Sequence, residues 1–192
     1  MLMVRRVTAN RVDPSRTVWQ EHARVILRPM SRGASADPES FDCVIEIAAP
    51  PETVFSAFFS KDALQRWWGV VAAVTSARPL GIYALEWPRS GDDDPLLGPL
   101  GGAFYGMVID VRLGREFFLA DAYWMPPEGD PVGPMALHVT CDPTPSGTRL
   151  RFQQSGCDDS PRWRRFYRVM GARWSEALAR LKTQLEVPSA ST

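Results

Sequence analysis

Histidine is almost absent from this chain. Its 192 residues include only His22 and His138, so a His-based metal site or a Ser-His-Asp triad has little to draw on. The three cysteines, Cys43, Cys141 and Cys157, are odd in number and lack metal-site spacing. They read as reduced thiols, which points to the cytoplasm. Net charge is absent too: 22 basic side chains balance 22 acidic ones. Neither nucleic acid nor an anionic membrane is therefore implied as a partner. No apolar run approaches the roughly 20 residues of a membrane span. Arg5 and Arg6 are followed by no apolar stretch, so no signal peptide is expected.

What is present is an amphipathic stretch near the end, residues 160–185. Trp163, Tyr167, Met170, Trp174, Leu178, Leu181 and Leu185 recur there at steps of three and four. At about 100° per residue they share one narrow face of a helix. Ser160 and Pro161 suit the N-cap and first helical position, and Pro188 closes the stretch. Glu176 and Arg180 stand at i,i+4 spacing, which predicts a supporting ion pair. The face changes character along its length, from bulky aromatics and a methionine to plain leucines. The leucines predict core. The aromatic half is either core as well or the wall of a cavity.

The rest of the chain divides simply. Residues 1–40 show no sustained period and end in a linker rich in Ser, Gly, Ala, Asp and Pro, so they read as a flexible arm. Met30, just before that linker, is an alternative start of translation. Residues 41–187 are expected to form one domain, with 188–192 as a short tail. Residues 41–48 alternate as a strand with one buried face. Two short helices follow, 52–59 behind a Pro-Pro entry and 61–68 between Ser60 and Gly69. Six strands are then predicted, at 70–77, 81–87, 103–111, 116–124, 135–141 and 148–154. The clean alternation of the last two, with Leu137, Val139, Cys141, Leu150, Phe152 and Gln154 inward, indicates an antiparallel sheet with one wet face. His138 then falls on the outer face. Short turns at 112–114 and 143–147 alternate with long loops at 88–102 and 125–134. In an up-and-down meander both long loops lie at one end, beside the start of the last helix, and a pocket mouth is expected there.

The segments "IEIAAPPETVFSAFFSKDALQRWWG", "GMVIDVRLGREFFLA", "GTRLRFQQSG" and "RWSEALARL" resemble the activator-of-Hsp 90-ATPase-homologue branch of the START/Bet v 1-like superfamily (SRPBCC). Val54-Phe55, Trp67-Trp68 and the stretch from Arg173-Trp174 to Leu181 occupy the places of the family's "VF", "WW" and late helix motifs. The resemblance covers roughly residues 41–185. It implies an α+β helix-grip fold, a curved antiparallel sheet around a long C-terminal helix, with a cavity between the two for a hydrophobic small molecule. The eukaryotic co-chaperones of the family carry a further N-terminal domain, for which these 192 residues leave no room.

The in-phase positions nominate ligand-binding residues: Tyr83, Tyr105, Asp121 and Tyr123 from strands, and Trp163, Tyr167, Met170 and Trp174 from the helix. An inward Asp121 would need partners or an upward pKa shift, and with a tyrosine it is a weak candidate for proton transfer. The opposite phase of its strand, with Phe118, Ala120, Ala122 and Trp124 inward, stays open because both phases are largely apolar. Trp67 and Trp68 are expected to pack the short helices onto the sheet, with one of them in reach of the cavity. Asp92-Asp93-Asp94 reads as a solvated loop tip rather than a metal site, while Leu96, Leu97 and Leu100 of the same loop suit a lid or a subunit contact. Three functions follow, in order. The first is binding of a hydrophobic or aromatic small molecule without cofactor or metal. The second is a cyclase, dehydratase or lyase chemistry using Asp121 and a tyrosine. The third is a chaperone-associated interaction protein, with a chaperone or a second copy of the chain as the partner contact.

Overall fold

The alternation that begins at Phe41 becomes β1 (Phe41–Ile47), and the Pro-Pro entry becomes α1 (Pro51–Ser56). The structure is a computed structural model describing residues 39–156 and 158–187. Residues 1–38 of the expected arm, the Met30 start, Cys157 and the 188–192 tail lie outside the described residues. Ser60 caps α2 (Lys61–Trp68), its hydroxyl accepting the Ala63 N–H at 3.3 Å. Gly69 ends that helix at φ 72°, a left-handed conformation open to glycine at no Cβ cost.

Strands β2 (Ala72–Thr75), β3 (Ile82–Trp87), β6 (Gly102–Arg112), β7 (Glu116–Met125), β8 (Val132–Thr144) and β9 (Gly147–Ser155) follow as a meander. The 88–101 loop contains a minute hairpin of β4 (Asp93–Asp94) and β5 (Gly98–Pro99), which periodicity did not announce. Strand β1 closes the sheet on β9, giving the order β1-β9-β8-β7-β6-β3-β2 with every neighbour antiparallel. The last helix, α3 (Pro161–Glu186), runs unbroken through Gly171 and packs on α2 and β1. A Cβ at Gly171 would stand 3.2 Å from the Phe41 ring, so the missing side chain lets the strand approach the helix.

The leucine half of α3 is core, as its pattern predicts: Leu178 and Leu181 are buried. Removing each from water is worth about 1.5–3 kcal/mol. The Phe58 ring packs edge-on against Trp67 of α2, tilted against Phe117 and stacked on Phe152.

Two strands differ from their predicted phase. In β6 the inward residues are Phe104, Gly106 and Val108, which leaves Tyr105 and Met107 exposed. Gly106 has no side chain to signal its face, and a Cβ there would press on Ala122 at 3.0 Å. In β7 both candidate phases are realised in turn. Phe117 and Leu119 point inward; the pairing with β8 then slips, and Ala122 and Trp124 point inward instead. The slip is a β-bulge, and Asp121 takes φ 48° within it. Such a bulge moves every later side chain to the other face, which a strict two-residue period cannot represent.

Candidate functional site

Between the sheet and the middle of α3 lies a cavity of about 360 Å³. Ligand pockets generally span about 300–1,000 Å³, and this cavity falls within that range. The sheet supplies Phe104, Trp124, Leu137, Phe152 and Gln154. The helix supplies Phe166, Met170 and Trp174, with Arg173, Glu176 and Arg180 on its outer side. Trp68 and Gly69 at the end of α2, Trp87 of β3, and Pro88, Ser90, Leu100 and Gly101 of the following loop complete the wall.

The wall is held by hydrogen bonds that close helix and strand ends. Trp87 Nε1–H donates to the Trp68 carbonyl at 2.9 Å, and Arg180 Nε–H donates to the Trp67 carbonyl at 3.0 Å. These two side chains satisfy carbonyls that the end of α2 leaves without helical partners. Arg180 is thereby turned from Glu176, and the predicted i,i+4 pair does not form. Trp124 Nε1–H donates to the Gly101 carbonyl at 2.8 Å, fixing the loop against the sheet.

Of the nominated residues, Met170 and Trp174 line the cavity. Trp163 and Tyr167 are buried but pack against each other and against Phe166, and the Tyr167 hydroxyl donates to the Gly156 carbonyl at 2.7 Å. Tyr83 is core: its hydroxyl donates to the Phe58 carbonyl at 3.0 Å, and burial pushes its pKa up. Tyr105 and Tyr123 stack on the outer face with ring centroids 6.0 Å apart, and Asp121 is exposed beside them. The bulge in β7 and the reversed phase of β6 put these three residues outside.

The long loops and the start of α3 do converge: the 88–101 loop walls the cavity and is tied to Arg165, and the 125–134 loop meets the first turn of the helix. Arg162 donates to the carbonyls of Asp130 and Pro131. On the helix the cavity is lined from Phe166 to Arg180, past the first turn where it was expected. Trp68 and Gln154 were within reach of the pattern. Phe166 was too: it lies three residues after Trp163 and four before Met170. Trp87, Leu100, Phe104 and Trp124 are brought in by strand phase and loop path.

A sequence model of the family described as activator of Hsp90 ATPase homolog 1-like protein matches residues 48–186. The chain belongs to that family. Solved structures agree with the helix-grip fold of this Aha1-like branch. MLL2253 from Mesorhizobium loti superposes with TM-score 0.59 at 22% identity, over 78% of this chain and 98% of its own. Ms6760 from Mycobacterium smegmatis gives 0.60 at 17%, over 81% and 96%. The Aha1 dimer from Colwellia psychrerythraea gives 0.55 at 18%, over 79% and 98%. No curated protein matches the chain.

In this Aha1-like chain Asp92 and Asp93 of the acidic loop are exposed, as expected of a solvated tip, but Asp94 is a clasp. Asp94 is buried; its Oδ1 accepts the Leu96 and Leu97 N–H groups at 3.0 and 3.1 Å, and its Oδ2 accepts Arg165 Nε–H at 2.7 Å. Burial raises the Asp94 pKa, but these amides and the guanidinium outweigh it and hold the carboxyl below its ordinary value. Asp92 adds a looser pair to Arg173 at 3.2 Å. The loop is thus tied to α3 at two points, with Leu97 buried and Leu100 forming cavity wall. Inside, Gln154 is the one polar side chain among the buried lining residues. Its amide Nε2 donates to the Met135 sulfur, a weak acceptor. Among the described residues no group of three or more His, Cys, Asp or Glu is placed to hold a metal ion, and no helix is long and apolar enough to cross a membrane.

Proposed function

We propose that this protein binds a small, largely apolar molecule in the cavity between the sheet and α3. The observation that carries the reading is the aromatic lining of a 360 Å³ space. Trp68, Trp87, Trp124, Phe152, Phe166 and Trp174 present faces and edges on which a ring can stack, and Met170 adapts to its shape. The catalytic alternative drew on Asp121 and a tyrosine; Asp121, Tyr105 and Tyr123 lie on the opposite face of the sheet and Tyr83 donates into the core. Binding without proton transfer is the reading these placements support.

Titration with N-phenyl-1-naphthylamine tests it. The probe should brighten with one site per chain and quench the protein's tryptophan emission. Met170→Trp, which fills the cavity, should abolish binding while the protein stays folded. Binding that survives Met170→Trp places the probe elsewhere and removes this reading. Native mass spectrometry of the purified protein then shows whether a small molecule is retained.

Self-association is a second reading. Val74, Ala84, Tyr105 and Tyr123 face one another across β2, β3, β6 and β7, and Ile82 and Met107 pair beside them, forming an exposed apolar row on the outer face. The Colwellia relative is described as a dimer. Sedimentation of the native protein and of Tyr105→Lys tests this: a dimer dissociated by the lysine supports it, and a monomer at high concentration refutes it.

A further inference from the structure

Building on the binding reading, we infer that the ligand is an aromatic molecule carrying a hydrogen-bond donor, a ring hydroxyl or N–H, and that Gln154 is the residue that selects for it. Gln154 sits on the inward phase of β9, two residues after Phe152, and is 2% exposed. It lines the cavity amid rings of Trp124, Phe152, Phe166 and Trp174. A glutamine amide has one carbonyl oxygen with two lone pairs and one NH2 with two donors. The NH2 donates to the Met135 sulfur, which orients the amide, because a carbonyl oxygen would not face the sulfur's lone pairs. The carbonyl oxygen accepts no hydrogen bond from the described residues and is not among their fully buried unpaired atoms, so it is reached from the cavity. Its neighbours in β9 and β8 on the inward face, Phe152, Leu137 and Val139, offer no donor side chain.

A leucine at position 154 would complete an apolar box, and the cavity would then select by shape alone. The amide instead places a single acceptor among aromatic rings. An acceptor so placed discriminates strongly, because a ligand without a donor leaves it desolvated and unpaired. The charged groups Arg173, Glu176 and Arg180 lie on the outer side of the cavity and are exposed, so they do not compete for this oxygen. The site therefore recognises a neutral donor on a ring: phenol-like or indole-like compounds fit, and bare hydrocarbons or aryl ethers of equal size fit less well.

Three two-ring probes separate these possibilities on the intact protein: 2-naphthol, naphthalene and 2-methoxynaphthalene, read by tryptophan quenching or calorimetry. The variant is Gln154→Met, which keeps the length of the side chain and removes both polar ends. Its melting temperature is measured alongside, and the more apolar cavity should keep it folded. The expected result is that the preference for 2-naphthol over naphthalene falls about tenfold on going from the native protein to Gln154→Met, as a mutant cycle isolates the pairwise contact. The preference of 2-naphthol over 2-methoxynaphthalene should fall with it. If all three probes bind and their ratios are unchanged by Gln154→Met, the inference about the donor is overturned while the binding reading stands. If 2-methoxynaphthalene loses as much affinity as 2-naphthol, Gln154 acts through its N–H, and the inference is likewise overturned. If none of the probes binds the native protein, both the cavity reading and this inference fail.

Discussion

Breaking the Asp94 clasp should loosen the loop that walls the cavity. Asp94 makes three charge-assisted hydrogen bonds, two to the amides of Leu96 and Leu97 and one to Arg165, whose side chain is 35% exposed. Bonds to a charged group are worth about 1.5–3 kcal/mol each when measured singly. They share one carboxylate and do not add, and the half-exposed guanidinium can rehydrate once released. Asp94→Ala should therefore cost about 2–4 kcal/mol, short of the 3–5 kcal/mol of a fully buried pair. Asp94→Asn keeps an oxygen for the amides and should cost less, near the value for Arg165→Met. At about 2–4 °C per kcal/mol for a chain of this size, Asp94→Ala should melt several degrees lower. Hydrogen exchange at Leu96 and Leu97 should accelerate in all three variants, and probe release should quicken because Leu100 moves with the loop. The Asp94 carboxyl is held below its ordinary value, so its stabilisation is complete above the unfolded value of about 3.9. It is lost as pH falls through the lower folded value, and the difference between native protein and Asp94→Asn should shrink only in that acid range. A cost under about 0.5 kcal/mol for Asp94→Ala, the scale of ordinary surface changes, together with unchanged exchange, would refute the clasp.

Leu181→Ala should cost about 2–5 kcal/mol in urea denaturation, while Trp174→Ala, whose ring already borders empty space, should fall below the usual 3–5 kcal/mol for an aromatic truncation. Cys141 is buried and its thiol is pushed up to about 12, chiefly by desolvation, so native protein treated with iodoacetamide near neutral pH should show no label there until it is unfolded. Burial lowers the His138 pKa against a weaker upward pull from Glu116, so the neutral form is favoured in the folded state. Stability should be full above the unfolded value of about 6.5 and decline as pH falls through the lower folded value, and His138→Gln should flatten that part of the pH profile. Asp121→Asn and Tyr105→Ala should leave probe affinity unchanged, because both side chains are exposed outside the cavity lining; a loss of affinity in either would contradict the strand phases described above.

The elements were legible in the chain because their causes are local. Ser60 and Ser160 cap helices through N–H groups three residues on, Gly69 stops one, and the leucines of α3 repeat at helical spacing. The alternations of β3, β8 and β9 likewise point the predicted residues inward, and the ordered motifs were enough to suggest the family. The inner face of β6 and β7 was decided by tertiary structure. Both phases of those strands are apolar, Gly106 is silent, and the bulge at Asp121 exists only in the pairing with β6 and β8. Asp94 could be recognised as buried only once the fold set it against Arg165, 71 residues later. The cavity too is a tertiary property. An aromatic residue packs against neighbours or lines a space according to whether neighbouring elements fill the volume beside it. Trp163 and Tyr167 meet filled space at the start of α3, while Met170 and Trp174, one and two turns on, do not.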